Sequence, residues 1–177
     1  MKPQSIRRPI ALAALFGVAS LGLLGASPPP AHSNHGMVAS DHRLASAAGA
    51  EVLRRGGNAV DAAVAAALAA GVVQPAGSGL GGGGFAVVVT ASGERSVLDF
   101  REVAPAGATR DMFVNAEAED ASTAGGLAVA VPGEGPGLVE LHRRMGVLSL
   151  AKVVEPAARL ARGGFDAGPH LVHSLAT

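Results

Sequence analysis

Arg101, in the run Asp99-Phe100-Arg101-Glu102, is the side chain of this chain best suited to bind a small molecule. A guanidinium presents a planar fork that meets a carboxylate in two parallel hydrogen bonds. The residue stands at the end of an apolar stretch, where an unpaired charge is expensive, so it must find an anion. That anion is either the carboxylate of a ligand or an internal partner, for which Glu102, Asp99 and Asp111 are the candidates. Shortly upstream lies Gly77-Ser78-Gly79-Leu80-Gly81-Gly82-Gly83-Gly84-Phe85. Consecutive glycines lose much conformational entropy on ordering and persist where a side chain would collide or φ must be positive. The run formally fits G-x-G-x-x-G, but it follows a helical pattern and opens a strand, the reverse of the dinucleotide-binding order. Two uses remain: close packing under a neighbouring segment, or backbone donors lining a substrate cleft.

No nucleophile is visible. There is no cysteine, no G-x-S-x-G elbow and no serine with an evident base. His32 with His35 and His170 with His173 are spaced i,i+3, yet two histidines without a third ligand make a poor metal site. They read as surface residues. His142 reads as a partly exposed helix residue, and Asp61 as a helix-start residue rather than an acid or base. No metal or cofactor is expected.

The 14 cationic and 14 anionic side chains cancel, so nothing suggests a nucleic-acid or anionic-membrane partner. Tryptophan and tyrosine are absent, so a core must be built from Ala, Val and Leu, through close helix approach rather than aromatic volume. Lys2, Arg7 and Arg8 precede an apolar run from Ile10 to Leu24, then Gly25-Ala26-Ser27 and three prolines. That order predicts a secretory signal over residues 1–31, cut between about Ala26 and Ala31. The chain is accordingly expected to be exported, periplasmic or secreted. The alternative is an uncleaved membrane anchor, which normally needs ~20 apolar residues.

The expected elements follow. Leu44, Ala48 and Val52 recur at i+4, predicting a helix over 40–55 with Ser40 or Asp41 as cap and Gly56-Gly57 as stop. Asn58 caps a second helix over 59–73, apolar nearly all round and therefore buried, with Asp61 favoured by the helix dipole. Pro75 ends it. The apolar run 85–90 predicts a strand covered on both faces, returning through Ser92-Gly93 to a second strand over 96–101. On that return Val97, Asp99 and Arg101 share one face, and Leu98 and Phe100 the other. A short turn after Thr109, a surface loop over 115–126 and a short strand over 128–131 come next. Helices over 136–145 and 149–162 follow, the latter kinked at Pro156. Residues 168–177 give no closing element. The body is one α+β domain, residues 36–177.

At this point several ordered motifs resemble a known family. Gly36-Met37-Val38-Ala39-Ser40 and Gly56-Gly57-Asn58-Ala59-Val60-Asp61-Ala62-Ala63 resemble the start of the large subunit of γ-glutamyltransferases, also called glutathione hydrolases. The similarity continues through the glycine loop, Asp99-Phe100-Arg101-Glu102, Ala104-Pro105, Ala108-Thr109-Arg110-Asp111-Met112-Phe113 and Val131-Pro132-Gly133. It extends through Val153-Val154-Glu155-Pro156-Ala157 to Phe165.

The resemblance implies an N-terminal-nucleophile hydrolase with an αββα sandwich, here incomplete. It implies an exported precursor that cuts itself into two subunits. The new N-terminal threonine then attacks a γ-glutamyl bond, as in glutathione, with its own amine as base. The glutamyl group passes to water, an amino acid or a peptide. The arginine of the Asp-Phe-Arg-Glu motif, here Arg101, holds the glutamyl α-carboxylate. The nucleophilic threonine lies outside this chain, so these residues alone are expected to be inactive and to need the small subunit as partner. Related acylases and capsule-processing transpeptidases share the scaffold. A rival reading is a short, non-catalytic binding or assembly protein.

Overall fold

Asn58 and Asp61 set the first half of the molecule. Asn58 Oδ1 accepts from the amides of Val60 and Asp61 at 2.9 and 3.0 Å, and Asp61 Oδ2 accepts from the Asn58 amide at 2.9 Å. This reciprocal box satisfies the free donors of a helix start and fixes the beginning of helix α2, Ala59–Val73. Helix α1, Arg43–Arg54, precedes it. The cap of α1 is His42 rather than Ser40 or Asp41: its Nδ1 accepts from the Leu44 amide at 3.2 Å. Ser40 instead donates to the His42 carbonyl at 2.9 Å, tying the approach to the helix.

The computed structural model describes residues 30–114, 116, 117 and 119–176, so the expected secretory signal lies almost wholly outside the described residues. The chain divides into a leading unit that ends at Asn34 and a body that starts at His35. The body continues with the antiparallel hairpin β1 (Phe85–Val89) and β2 (Arg95–Asp99), a 3-10 turn (Gly126–Ala128), and helices α3 (Glu134–Met145), α4 (Leu150–Gly163) and α5 (Pro169–Ala176). Among the described residues no helix is long and apolar enough to cross a membrane.

Helix α2 is the central element, packed against α1, α3 and α4. Val60, Val64 and Ala65 of α2 meet Val52, Leu138, Leu141 and Val153 in one buried cluster; Ala69, Ala70 and Val73 meet Ala45, Ala48 and Ala157 in a second. Each fully buried valine contributes roughly 1.5–3 kcal/mol. The alanine-rich seam brings the helix backbones together: a β-carbon on Gly49 would come within 2.7 Å of the Ala62 carbonyl. Outside this seam Glu51 and Glu155 bridge Arg55 and Arg159 across α1 and α4. Such exposed pairs add little stability.

The hairpin is where the structure departs most from expectation. Phe85 pairs with Asp99, Val87 with Val97 and Val89 with Arg95. Ala86, Val88, Leu98 and Phe100 pack on the helical core, but Phe85, Val87, Val89 and Val97 are exposed. The strand is covered on one face only, because the helices supply a single covering layer. Strand β2 ends at Asp99 rather than Arg101, since Asp99 Oδ1 turns back to accept from the Arg101 amide at 3.0 Å. The strand expected over 128–131 reduces to the 3-10 turn and one isolated bridge, Val131 with Val103. Helix α4 runs from Leu150 to Gly163 with Pro156 inside it, and the short helix α5 closes a segment for which no element was expected.

Candidate functional site

The glycine loop, the residues after β2 and the start of α3 converge on one cleft. It has a volume of about 570 Å³ and is lined by Gly71, residues 75–83, Arg101, Glu102 and Glu134. Phe100 explains how these three segments come so close. Its amide donates to the Gly84 carbonyl at 3.0 Å, extending the hairpin by one rung. A β-carbon on Gly83 would lie 2.5 Å from the Phe100 carbonyl, and β-carbons on Gly133 and Gly137 would overlap that carbonyl and the Phe100 ring. Glycine at these positions lets the backbone pass over Phe100. Of the two uses expected for the glycine loop, close packing therefore holds at Gly83. Gly77 and Gly81, with open space around them, line the cleft instead.

Arg101 is well exposed over this cleft, its side chain 58 % accessible. Among the described residues its ionic partner is Glu102, with Nε 3.1 Å from Oε2. The contact is a charge pair without a hydrogen bond: that carboxylate oxygen is shielded from solvent and no group donates to it. Of the three internal anions considered, Glu102 is thus the one engaged. Asp99 is used by the Arg101 main chain instead.

Glu134, the first residue of α3, was not among the sequence candidates. It is buried, and its Oε2 accepts from the Gly79 amide at 3.3 Å. Burial pushes its carboxyl above the ordinary glutamate range, the Gly79 amide opposes that, and the negative charge of Glu102 adds to it. A signal was present in the sequence: an acid directly after Pro132-Gly133 sits at a helix start, where the dipole favours negative charge. That signal reads as solvent-facing, and only the fold turns it inward.

The other buried acid has a different setting. Asp61 accepts from the amides of Val147 and Leu148 at 3.2 and 3.3 Å as well as from Asn58. His142 Nε2 lies 3.4 Å from Asp61 Oδ1 and 3.0 Å from the Leu148 carbonyl. A carbonyl can only accept, so Nε2 donates to it. Asp61 is thus a helix-start residue, as expected, and also pins the turn after α3. His170 and His173 lie on α5. Among the described residues no three potential metal ligands come together.

Residues 45–177 match the sequence profile of the family described as Gamma-glutamyltranspeptidase. The chain is 47 % identical over 137 residues to glutathione hydrolase 2 of Arabidopsis thaliana, covering 77 % of this chain and 23 % of that protein. It is 40 % identical over 168 residues to a glutathione hydrolase proenzyme of Pseudomonas sp. (strain A14), covering 93 % and 29 %. The fold superposes on the Helicobacter pylori gamma-glutamyltranspeptidase with a TM-score of 0.79 at 40 % identity, over 84 % of this chain and 43 % of that one. This chain spans about a quarter of the length of these curated relatives. The family match, which covers the helical core, the hairpin and every residue of the cleft, places the chain in the γ-glutamyltranspeptidase family.

Proposed function

We propose that this chain supplies the donor-binding half of an exported, self-processing γ-glutamyltransferase, with Arg101 as the clamp for the α-carboxylate of a γ-glutamyl compound such as glutathione. The observation that carries this reading is the state of Arg101. It stands over a cleft just beyond the end of β2, beside a carboxylate oxygen that accepts no hydrogen bond from it. An incoming α-carboxylate gains a charge-assisted fork without first breaking a well-made internal bond.

In this reading the rest of the protein brings the N-terminal threonine, which attacks the γ-carbonyl carbon of the donor. The amide C–N bond breaks, and the leaving amine takes up the proton lost by the threonine hydroxyl. The glutamyl ester is then cleaved by water, an amino acid or a peptide, which frees the threonine. The outer face of the hairpin also fits. Its exposed Phe85, Val87, Val89 and Val97 form an apolar surface that a second β-sheet would cover, as an αββα sandwich requires. The small subunit released by self-cleavage is the proposed source of that sheet.

The test is Arg101→Lys in the processed enzyme that carries this chain. Loss of one charge-assisted fork should raise the donor KM about 10- to 100-fold and leave self-cleavage intact. An unchanged donor KM would remove Arg101 from the substrate.

A further inference from the structure

Glu134 is costly where it stands. A helix start can be served by an acid at the surface, yet this residue is buried in the cleft wall, only 8 % accessible as a whole, and its carboxyl faces another acid. Its contacts show what it does there. The Glu134 amide donates to the Gly82 carbonyl at 2.9 Å, alongside the Gly133 amide at the same distance. Its side chain accepts from the Gly79 amide at 3.3 Å. Gly79 and Gly82 are themselves joined, the Gly82 amide donating to the Gly79 carbonyl at 3.0 Å. One residue therefore holds both ends of the same tight turn, the turn that forms the cleft wall beside Arg101.

The two acids also address one backbone position. A β-carbon on Gly82 would lie 3.5 Å from Glu102 Oε1 and 3.9 Å from Glu134 Oε2. Glu102 has Arg101 on one side and the like charge of Glu134 on the other. The turn that Glu134 holds is thus set against Glu102, the ionic partner of Arg101. We propose that Glu134 is a positioning residue: it fixes the Gly79–Gly82 turn and, through Glu102, the aim of the Arg101 clamp. This inference rests on the γ-glutamyl reading above for its effect on substrate, but not for its effect on the turn.

The experiment compares Glu134→Ala, Glu134→Gln and Glu134→Asp in the processed enzyme, with Arg101→Lys as control. Donor kinetics and hydrogen exchange of the peptide spanning 77–84 are both read. Alanine removes the acceptor for the Gly79 amide and should raise the donor KM about tenfold with kcat within about twofold, while exchange of the loop accelerates. Glutamine keeps an oxygen acceptor at the same reach and should restore most of the KM and of the protection. Aspartate keeps charge and helix-start chemistry but is one methylene short of the Gly79 amide. It should raise KM and loosen the loop as alanine does, and it gives the readout if the alanine variant folds poorly.

Three results would overturn the proposal. One is a lowered melting temperature with unchanged KM and loop exchange; another is a glutamine variant no better than alanine; the third is an aspartate variant equal to wild type. If Arg101→Lys leaves KM untouched, the substrate reading fails by itself. The loop exchange of the Glu134 variants then decides the anchoring role.

Discussion

Asp61 and Glu134 are both buried acids at the first turn of a helix, and they have opposite surroundings. Asp61 receives the amides of Asn58, Val147 and Leu148, with His142 beside it, so its charge is fully engaged in holding α2 to the turn after α3. Glu134 receives one long bond from Gly79 and faces Glu102, whose own Oε2 receives none. A buried charge whose lone pairs are all satisfied is tolerated in a fold; one left short of donors is costly. The comparison separates an acid that is fully engaged at the α2–α3 junction from one that is poorly served at the glycine loop.

The sharpest way to break the comparison is to neutralise the structural acid. Asp61→Ala leaves three amides without their acceptor and should cost about 3–5 kcal/mol, read as a lowered midpoint in urea unfolding. A loss below 1 kcal/mol would mean the two acids are not different in kind. Next in size is the packing that brings the cleft segments together. Gly137→Ala drives a methyl into the Phe100 ring and should cost about 1–3 kcal/mol, with a matching fall in melting temperature. A neutral result would mean that Phe100 moves freely, and the rigid placement of Arg101 would lose its basis.

The pH dependence gives a smaller effect with a definite sign. Because burial raises the Glu134 carboxyl above its ordinary value of 4.5, its favourable contribution is complete below that value. The contribution is lost as pH rises through the raised one. Glu134→Gln has no proton to lose there. Its stability relative to wild type should therefore improve as pH climbs from 4.5 towards neutrality, measured by thermal unfolding at several pH values. An improvement that appears only below 4.5 would contradict the assigned cause. Smallest of all is Glu140→Gln. Arg143 and Arg144 hold the Glu140 carboxyl down to about 2, yet the cluster is solvent-exposed, so no measurable change in melting temperature is expected in physiological salt.

How much of this was legible in the sequence depends on how local the cause is. The Asn58 cap with Asp61, the Gly56-Gly57 stop and the stop at Pro75 depend on neighbours within a turn, and α1 and α2 fall within a few residues of expectation. The hairpin was legible from its valine run and Ser92-Gly93 turn. Its exposed outer face was not, because a continuous apolar run does not reveal which of its two faces the helices cover. Arg101 was singled out by chemistry and motif together, and the structure sets it over the cleft. Glu134 was not, because its partners Gly79 and Glu102 arrive from other elements and nothing near it in sequence announces burial. The link between Asp61 and His142 escaped for the same reason, each side chain reading alone as an ordinary helix residue.

The measurement that bears most directly on the central claim is a double comparison in the processed enzyme. Wild type and Arg101→Lys are each given a γ-glutamyl donor and the same donor lacking its α-carboxylate. If Arg101 grips that carboxylate, removing it should reduce kcat/KM about 10- to 100-fold in wild type and much less in the variant. Equal losses in both enzymes would show that the α-carboxylate is held elsewhere, and the assignment of this cleft as the donor site would be wrong.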